Sequence, residues 1–145
     1  MNLKAPVSSL MTVTPMVVAP TDKMKVAKEL FDTHQIHHLP VVHDERLVGI
    51  LSKTDLLYFL RLLHQESSEL YLNDIRLKNY KVEEVMTKRV FTVSSTDTIE
   101  KVLEIFTENL FHALPVVDGG KLVGIITTHD ILFRLLHPKK MLTAS

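Results

Sequence analysis

The sequence predicts an α/β (α+β) fold built from one duplicated unit. Residues Val7–Tyr58 align without a gap on Val82–Phe133, 75 positions later. Each copy alternates between apolar runs of strand length and amphipathic stretches of helix length. At about 55 residues, neither copy buries enough apolar surface to be stable alone. We therefore expect two β-α-β-β-α repeats packed as a pseudo-twofold pair.

Each repeat opens with a turn that ends in Met-Thr. A brief strand and an amphipathic helix follow this turn. We predict the brief strands at Met16–Ala19 and Val90–Ser94. Thr21-Asp22 and Thr96-Asp97 are candidate N-terminal caps of the helices, because small polar side chains can accept the first free N–H groups. The helices carry apolar residues at helical spacing, which predicts that these residues are core. They are Met24, Ala27, Leu30 and Phe31 in the first copy, and Ile99, Val102, Leu103 and Phe106 in the second.

A strand–turn–strand follows in each repeat. In the first copy the strands are Leu39–Val42 and Leu47–Leu51, and in the second they are Leu114–Val117 and Leu122–Ile126. The second turn, Asp118–Lys121, contains Asp-Gly-Gly, which is a strong hairpin signal. The first turn lacks glycine, so we expect it to be looser.

Each repeat closes with a helix that is apolar on almost every side, Thr54–His64 or His129–His137. Such a helix must be covered on more than one face. We expect the other repeat to cover one face and a second copy of the chain to cover another, which predicts a homodimer. The predicted organisation is repeat 1 at 1–64, a connector at 65–81, repeat 2 at 82–137 and a C-terminal tail at 138–145.

Composition excludes several classes of function. The chain is 46% hydrophobic with a formal net charge of zero, which gives no reason to expect nucleic-acid binding. The sequence contains no cysteine, so it has no disulfide, thiol nucleophile or thiolate metal site. It shows no signal peptide and no apolar run near the roughly 20 residues of a membrane helix. We expect a cytoplasmic protein without membrane insertion and without an attached catalytic domain.

An enzyme and a metal protein are the less favoured alternatives. The chain contains none of the nucleophile-elbow, P-loop, zinc-protease or dinucleotide fingerprints. His34 and His38 stand four residues apart and could share a zinc ion on a continuous helix. Pro40 argues against such a helix, because the residue before a proline avoids the helical conformation. The sequence therefore predicts no metal site.

The sharpest local features are two strand-to-helix junctions, Gly49–Asp55 and Gly124–Asp130. In each, a glycine allows another backbone or a ligand to come close. A hydroxyl follows where free helix N–H groups attract anions, and a carboxylate one turn later could accept the hydroxyls of a ribose. The same pattern spells a capping box, in which the acid bonds the cap residue's own N–H. The two hydroxyl–carboxylate pairs are Ser52 with Asp55 and Thr127 with Asp130.

Both copies contain His-x-Leu-Pro-Val-Val followed by Leu-Val-Gly-Ile-h-[Ser/Thr]-x-x-Asp, where h is an apolar residue. Together with the order of elements, this pattern resembles the CBS-domain pair, or Bateman module. The resemblance covers about residues 5–137. It implies a small module that docks two repeats by their sheets and often dimerises. It also implies adenosine-containing ligands in the clefts between the repeats, and regulation of an enzyme, channel or transporter without catalysis.

The resemblance also implies roles for particular residues. Asp55 and Asp130 would hold ribose, and Ser52 and Thr127 would hold phosphate. The other candidate ligand contacts are the basic or polar residues His37, His38, Lys53, Thr54, Arg89, His112 and His129, and the apolar walls Val18, Pro40, Val93 and Pro115.

The function that we infer from the sequence is a homodimeric sensor of AMP, ADP, ATP or S-adenosylmethionine. It needs no other cofactor and acts on an unidentified enzyme or transporter. The alternative is a ligand-free platform for dimerisation or protein interaction. The sequence does not choose among the adenosine ligands, because all of them present the same nucleoside.

Overall fold

The computed structural model describes residues 1–64 and 70–140, without the side chains of 62–64 and 70–73. The chain forms two compact units. The continuous unit is Met16–Arg89, and the split unit combines Met1–Pro15 with Val90–Ser145. Residues 65–69 of the predicted connector and 141–145 of the predicted tail lie outside the described residues.

The hairpins and the closing helices lie where the sequence predicted them, within one or two residues. Short 3-10 turns occupy Val7–Ser9 and Val82–Glu84. In chain order the elements are β1 (Thr12–Val13), α1 (Met24–Thr33), β2 (His38–His43), β3 (Arg46–Ser52), α2 (Lys53–His64), α3 (Leu70–Asn79), α4 (Ile99–Glu108), β4 (Ala113–Asp118), β5 (Lys121–Thr127) and α5 (Thr128–Leu136). No helix among the described ranges is both long enough and apolar enough to cross a bilayer.

The predicted brief strands are wrong in extent. In Met16–Ala19 only Val18 pairs, through one parallel bridge to β2, and in Val90–Ser94 only Val93 pairs, with β4. The Val18 N–H donates to the Pro40 carbonyl at 3.1 Å. Directly after each bridge the chain turns away. An aspartate side chain just before the following helix accepts the next backbone N–H and holds this turn.

The predicted helix caps are also wrong. Helix α1 begins after Lys23, and α4 begins after Thr98, whose hydroxyl accepts a first-turn N–H. Asp22 and Asp97 instead accept the backbone N–H three residues earlier, at 2.8 Å in both repeats. Each aspartate therefore closes the turn before the helix and does not cap the helix itself.

The Met-Thr segments pack in the unit of the other repeat. In the split unit, β1 pairs with β5, so that Thr12 lies opposite Ile125. In the continuous unit, Thr87 exchanges both backbone hydrogen bonds with Ile50, at 2.9 and 3.0 Å. Each hairpin thus receives its outer strand from the segment that opens the other repeat. Within each unit, the paired segments follow the order Val18–β2–β3–Thr87 or Val93–β4–β5–β1.

Each unit has its own apolar core, with the hairpin on one side and the two helices of its repeat packed against it. The segments that open the two repeats, called leading segments from here on, contribute fully buried residues to the cores. These residues are Val82 in the continuous unit and Val7 in the split unit. The other large, fully buried apolar side chains include Met24, Leu39 and Leu51 in the continuous unit, and Ile99, Leu114 and Ile126 in the split unit.

The first hairpin turn is as tight as the second, contrary to the prediction. Asp44 and Glu45 have φ of 50° and 66°, and Gly119 and Gly120 have φ of 56° and 81°. Both turns therefore place two residues in the left-handed region, as a two-residue hairpin loop requires. The pairing on either side of the two turns is the same. Glycine thus eases the second turn but is not needed to form the first.

Candidate functional site

Both strand-to-helix junctions form reciprocal hydrogen bonds between hydroxyl and carboxylate residues. The Ser52 N–H donates to Asp55 Oδ2, and the Asp55 N–H donates to Ser52 Oγ, both at 2.9 Å. The Thr127–Asp130 pair makes the same two bonds at 2.9 and 3.1 Å. The sequence did not decide whether these residues form a capping box. The structure contains this capping box at both junctions. Each hydroxyl keeps its own proton for a further acceptor.

The two junctions differ in exposure. Asp130 is 1% exposed and Thr127 8%, whereas Ser52 and Asp55 are half-buried. Within the part of the chain that the structure describes, no hydrogen bond is made by Asp55 Oδ1. A second carboxylate oxygen is therefore available at the first junction, next to the hydroxyl of Ser52.

The backbone before each hairpin also closes on the helix start. The His37 carbonyl accepts the Lys53 N–H at 2.8 Å, and the His112 carbonyl accepts the Thr128 N–H at 3.0 Å. Both imidazoles are exposed beside the junction. The free N–H groups that we expected to receive phosphate are thus partly used by the protein. In the first turn of α2, Lys53 and Asp55 both donate to groups of the chain.

His38 lies directly across the hairpin from Ser52, because β2 and β3 pair these two residues. Side chains of opposed residues lie on the same face of a sheet. In the second repeat Ala113 stands opposite Thr127 and is buried. The first junction therefore has an imidazole that the second lacks.

The remaining polar candidates lie at the helix starts or outside them. Lys53 is half-buried and Thr54 exposed in the first turn of α2. His129 is exposed on α5, where its ring lies 6.2 Å from the ring of Phe133. Arg89 is exposed and belongs to the continuous unit, which contains Asp55, and not to the split unit that contains Asp130.

The apolar candidates are in the cores. Val18 and Val93 are 2% and 3% exposed, and Pro40 and Pro115 are buried. The backbone N–H and carbonyl of Val18 are both used in its bridge to β2. Any contact with a base at these strands must come from their exposed neighbours. The exposed neighbours are Met16, Val17 and Phe91.

The histidines that raised the zinc alternative do not share a helix. Helix α1 ends at Thr33, and His34 already has an extended backbone. His38 begins β2. Across residues 1–64 and 70–140, no group of three or more His, Asp and Glu side chains is arranged to hold a metal ion.

A sequence model of the CBS domain matches the chain twice, at residues 7–62 and 82–137. The chain belongs to the CBS domain family. Both matched segments begin in the Met-Thr turn and end in or just after the closing helix, so each CBS domain contributes residues to both compact units. The two junctions occupy equivalent positions in the two CBS domains.

Known proteins resemble this CBS pair over most of its length. The uncharacterized protein MJ1225 of Methanocaldococcus jannaschii is 34% identical over 121 residues, which are 81% of this chain and 42% of that protein. The chain thus spans less than half of that curated relative. A structure of CBSX2 in complex with AMP has a TM-score of 0.74 and 32% identity, and covers 93% of this chain and 98% of CBSX2.

A further solved CBS pair, that of protein MJ0100, was crystallised with 5′-methylthioadenosine and S-adenosyl-L-methionine. It has a TM-score of 0.72 and 26% identity to this chain, and covers 91% of this chain and 99% of the other. Adenosine-containing molecules are therefore ligands of two neighbours in this fold.

Proposed function

We propose that this CBS pair is a non-catalytic regulatory module that binds an adenosine-containing ligand and acts on a partner protein in the cytoplasm. The observation that carries the proposal is the junction of Ser52 and Asp55. One oxygen of the Asp55 carboxylate caps the helix while the other has no partner in the described chain. A carboxylate fixed in this way is preorganised to accept the hydroxyls of a ribose.

Phosphate at this junction would meet polar and basic groups. The Ser52 hydroxyl can still donate, and the imidazoles of His37 and His38 and the ammonium of Lys53 lie on the adjoining residues. The N-terminal dipole of α2 favours an anion at the same place. These contacts suit AMP, ADP or ATP, whereas S-adenosylmethionine would use the ribose contact without phosphate.

The two junctions support unequal sites. The buried Asp130 has to become accessible before a ribose can reach it, and a change that exposes it weakens the apparent affinity. We therefore propose that the first junction fills first. His112, Thr127 and His129 remain proposed contacts of the second site, and Arg89 remains a proposed phosphate contact. Val18, Val93, Pro40 and Pro115 support the walls from within the cores.

Isothermal titration calorimetry with AMP, ADP, ATP and S-adenosylmethionine tests the proposal. Asp55→Ala should weaken the tightest of these ligands by roughly ten- to a hundred-fold, since a hydrogen bond to a charged group is worth about 1.5–3 kcal/mol. Asp130→Ala should have a smaller effect on that first binding event.

The matched control is Asp97→Ala. Asp97 accepts a backbone N–H as Asp55 does, but it lies at the start of α4 and not at a junction. This variant should lose stability through the same kind of bond and keep the affinity of the wild-type chain. Equal affinities in Asp55→Ala and the wild-type chain would remove the ribose assignment.

The second candidate function is a ligand-free platform for dimerisation, and one observation favours it. Helices α2 and α5 present apolar side chains that are each more than half exposed in the single chain, namely Leu57, Tyr58, Leu132, Leu135 and Leu136. A second copy of the chain could cover them. The platform predicts no heat with any adenosine ligand, and a dimer in sedimentation that Leu132→Glu dissociates.

A further inference from the structure

A cavity of about 300 Å³ opens in the split unit, and no residue of the two strand-to-helix junctions lines it. It lies between the leading segment, the start of α4 and the end of α5. Its lining includes the apolar residues Ala5, Leu10, Ile99, Leu135 and Pro138, and one charged residue, Arg134. This volume is at the lower end of the range for small-molecule pockets.

Arg134 brings a positive charge to this cavity. Its Nη1 donates to the Pro138 carbonyl at 3.2 Å. Its Nε is shielded from solvent and has no hydrogen-bond partner in the described part of the chain. A buried guanidinium N–H without an acceptor is costly. The charge of the guanidinium favours an anionic group at the wall that Arg134 lines.

The equivalent positions in the continuous unit carry two aromatic residues. The repeat pairs Ala5 with Tyr80 and Arg134 with Phe59. The backbone confirms the first pairing: the Ile99 N–H donates to the Ala5 carbonyl at 3.0 Å, and the Met24 N–H donates to the Tyr80 carbonyl at 2.8 Å. The rings of Phe59 and Tyr80 meet edge to face, with their centroids 5.3 Å apart.

The split unit thus lacks both rings where the continuous unit has them. Alanine in place of tyrosine leaves room, and arginine in place of phenylalanine supplies a positive charge at its edge. A ligand that suits this place has a flat apolar body of ring size and one anionic group.

We propose that this cavity binds a small aromatic carboxylate. The carboxylate pairs with the guanidinium of Arg134, and the ring packs against Leu10 and Ile99, at the place where the other unit carries Tyr80 and Phe59. The site uses no residue of the two junctions and does not depend on the proposed nucleotide function.

Benzoate is the probe that tests the proposal, with the full chain in ligand-observed NMR and calorimetry. Benzamide keeps the ring without the charge, and acetate keeps the charge without the ring. Benzoate should bind at least about tenfold more tightly than either, because only benzoate makes both contacts. The absence of benzoate binding up to about 10 mM overturns the proposal, since even a Kd of 1 mM would then be detected.

Two variants locate the binding. Arg134→Met keeps the length of the side chain without the charge and should weaken benzoate about tenfold or more. Ala5→Tyr restores the aromatic residue of the other repeat and should abolish binding. The control is Lys139→Met, which removes an exposed cation beside Pro138 and should leave benzoate binding unchanged.

Competition separates this site from the junctions. Saturating AMP should leave benzoate bound, because the proposed residues are distinct. Displacement of benzoate by AMP, or wild-type affinity in Arg134→Met, overturns the assignment. If Ala5→Tyr does not fold, the Arg134→Met and Lys139→Met pair still decides.

Discussion

Asp118 joins the second hairpin turn to the segment that leads into α4. Its carboxylate accepts the hydroxyls of Ser94 and Ser95 and the Ser95 backbone N–H. These hydrogen bonds stabilise the charged form and lower the pKa of Asp118 below its ordinary value of 3.8, with the Ser95 hydroxyl as the largest cause. The first repeat has His43 at the same place, so this set of bonds belongs to one unit only.

The lowered pKa predicts how stability depends on pH. A carboxylate with a lower pKa in the folded protein stabilises the fold above its unfolded pKa, and this contribution is lost as the pH falls through the folded value. Asp118→Asn should therefore be less stable than the wild-type chain at pH 7, and the gap should narrow as the pH falls below about 4. Urea unfolding across this range measures it, and a gap that is constant with pH would contradict the prediction.

Gly119 offers a clean test of backbone strain. Its φ is +56°, and a Cβ built on it would meet nothing within 4 Å. Gly119→Ala should therefore destabilise the chain by about 1 kcal/mol through the left-handed backbone alone. Gly119→Asp, which copies Asp44 of the first repeat, should cost less, because aspartate tolerates this conformation. Urea unfolding compares the two, and equal losses would show that conformation is not the cause.

At the scale of elements, the outer strands explain why each hairpin contains a glycine. A Cβ on Gly49 would lie 2.5 Å from Met86 Sδ and 2.9 Å from the Thr87 carbonyl oxygen. A Cβ on Gly124 would lie 2.7 Å from Met11 Sδ and 2.8 Å from the Thr12 oxygen. The sulfur can move, but the paired backbone oxygen cannot move without loss of its strand.

Gly49→Ala and Gly124→Ala should therefore each destabilise the chain by about 2 kcal/mol, as overpacking of a core does. The cost should be similar in the two repeats because the contacts match. Unfolding by urea gives both values, and Gly119→Ala is the control with open space around it. A loss no greater than that of Gly119→Ala would show that the outer strand is free to shift.

The sequence predicted some elements well because their signals are local. Apolar runs of strand length and the turn residues between them predicted β2–β3 and β4–β5, and the Ser-x-x-Asp and Thr-x-x-Asp patterns predicted the paired side chains of the junctions. The brief strands failed because a single bridge at Val18 or Val93 depends on packing and leaves no periodic signal. The cap predictions were wrong because the carboxylates of Asp22 and Asp97 could accept a backbone N–H either from the helix or from the turn before it. In the structure both accept the N–H of the turn.

At the scale of the whole chain, internal symmetry holds for the backbone and fails for particular side chains. The same hydrogen bonds recur at both junctions, yet Asp55 is half-buried and Asp130 is buried. Arg134 replaces Phe59, and Ala5 replaces Tyr80. A sequence alignment reveals these replacements but not their burial, so the difference in exposure between Asp55 and Asp130 required the structure.

The alignment also could not reveal which repeat each leading segment packs against. Fragment 16–89 contains every segment of its compact unit, including the fully buried Val82. Fragment 1–64 contains one complete repeat of the sequence but lacks that segment. We expect cooperative urea unfolding for 16–89 and none for 1–64, because the second leaves a core and a strand edge uncovered. A folded 1–64 fragment would contradict the boundaries of the units.

The placement of β1 on β5, and of Thr87 on β3, has a consequence for how such a gene arose. An ancestor that encoded a single copy could not have completed its own sheet with the strand geometry seen today. It would have needed a dimer of two identical polypeptides that exchanged their N-terminal segments. Fusion of two copies of the gene would have joined the two exchanging polypeptides into one chain. The two copies would then have been free to diverge.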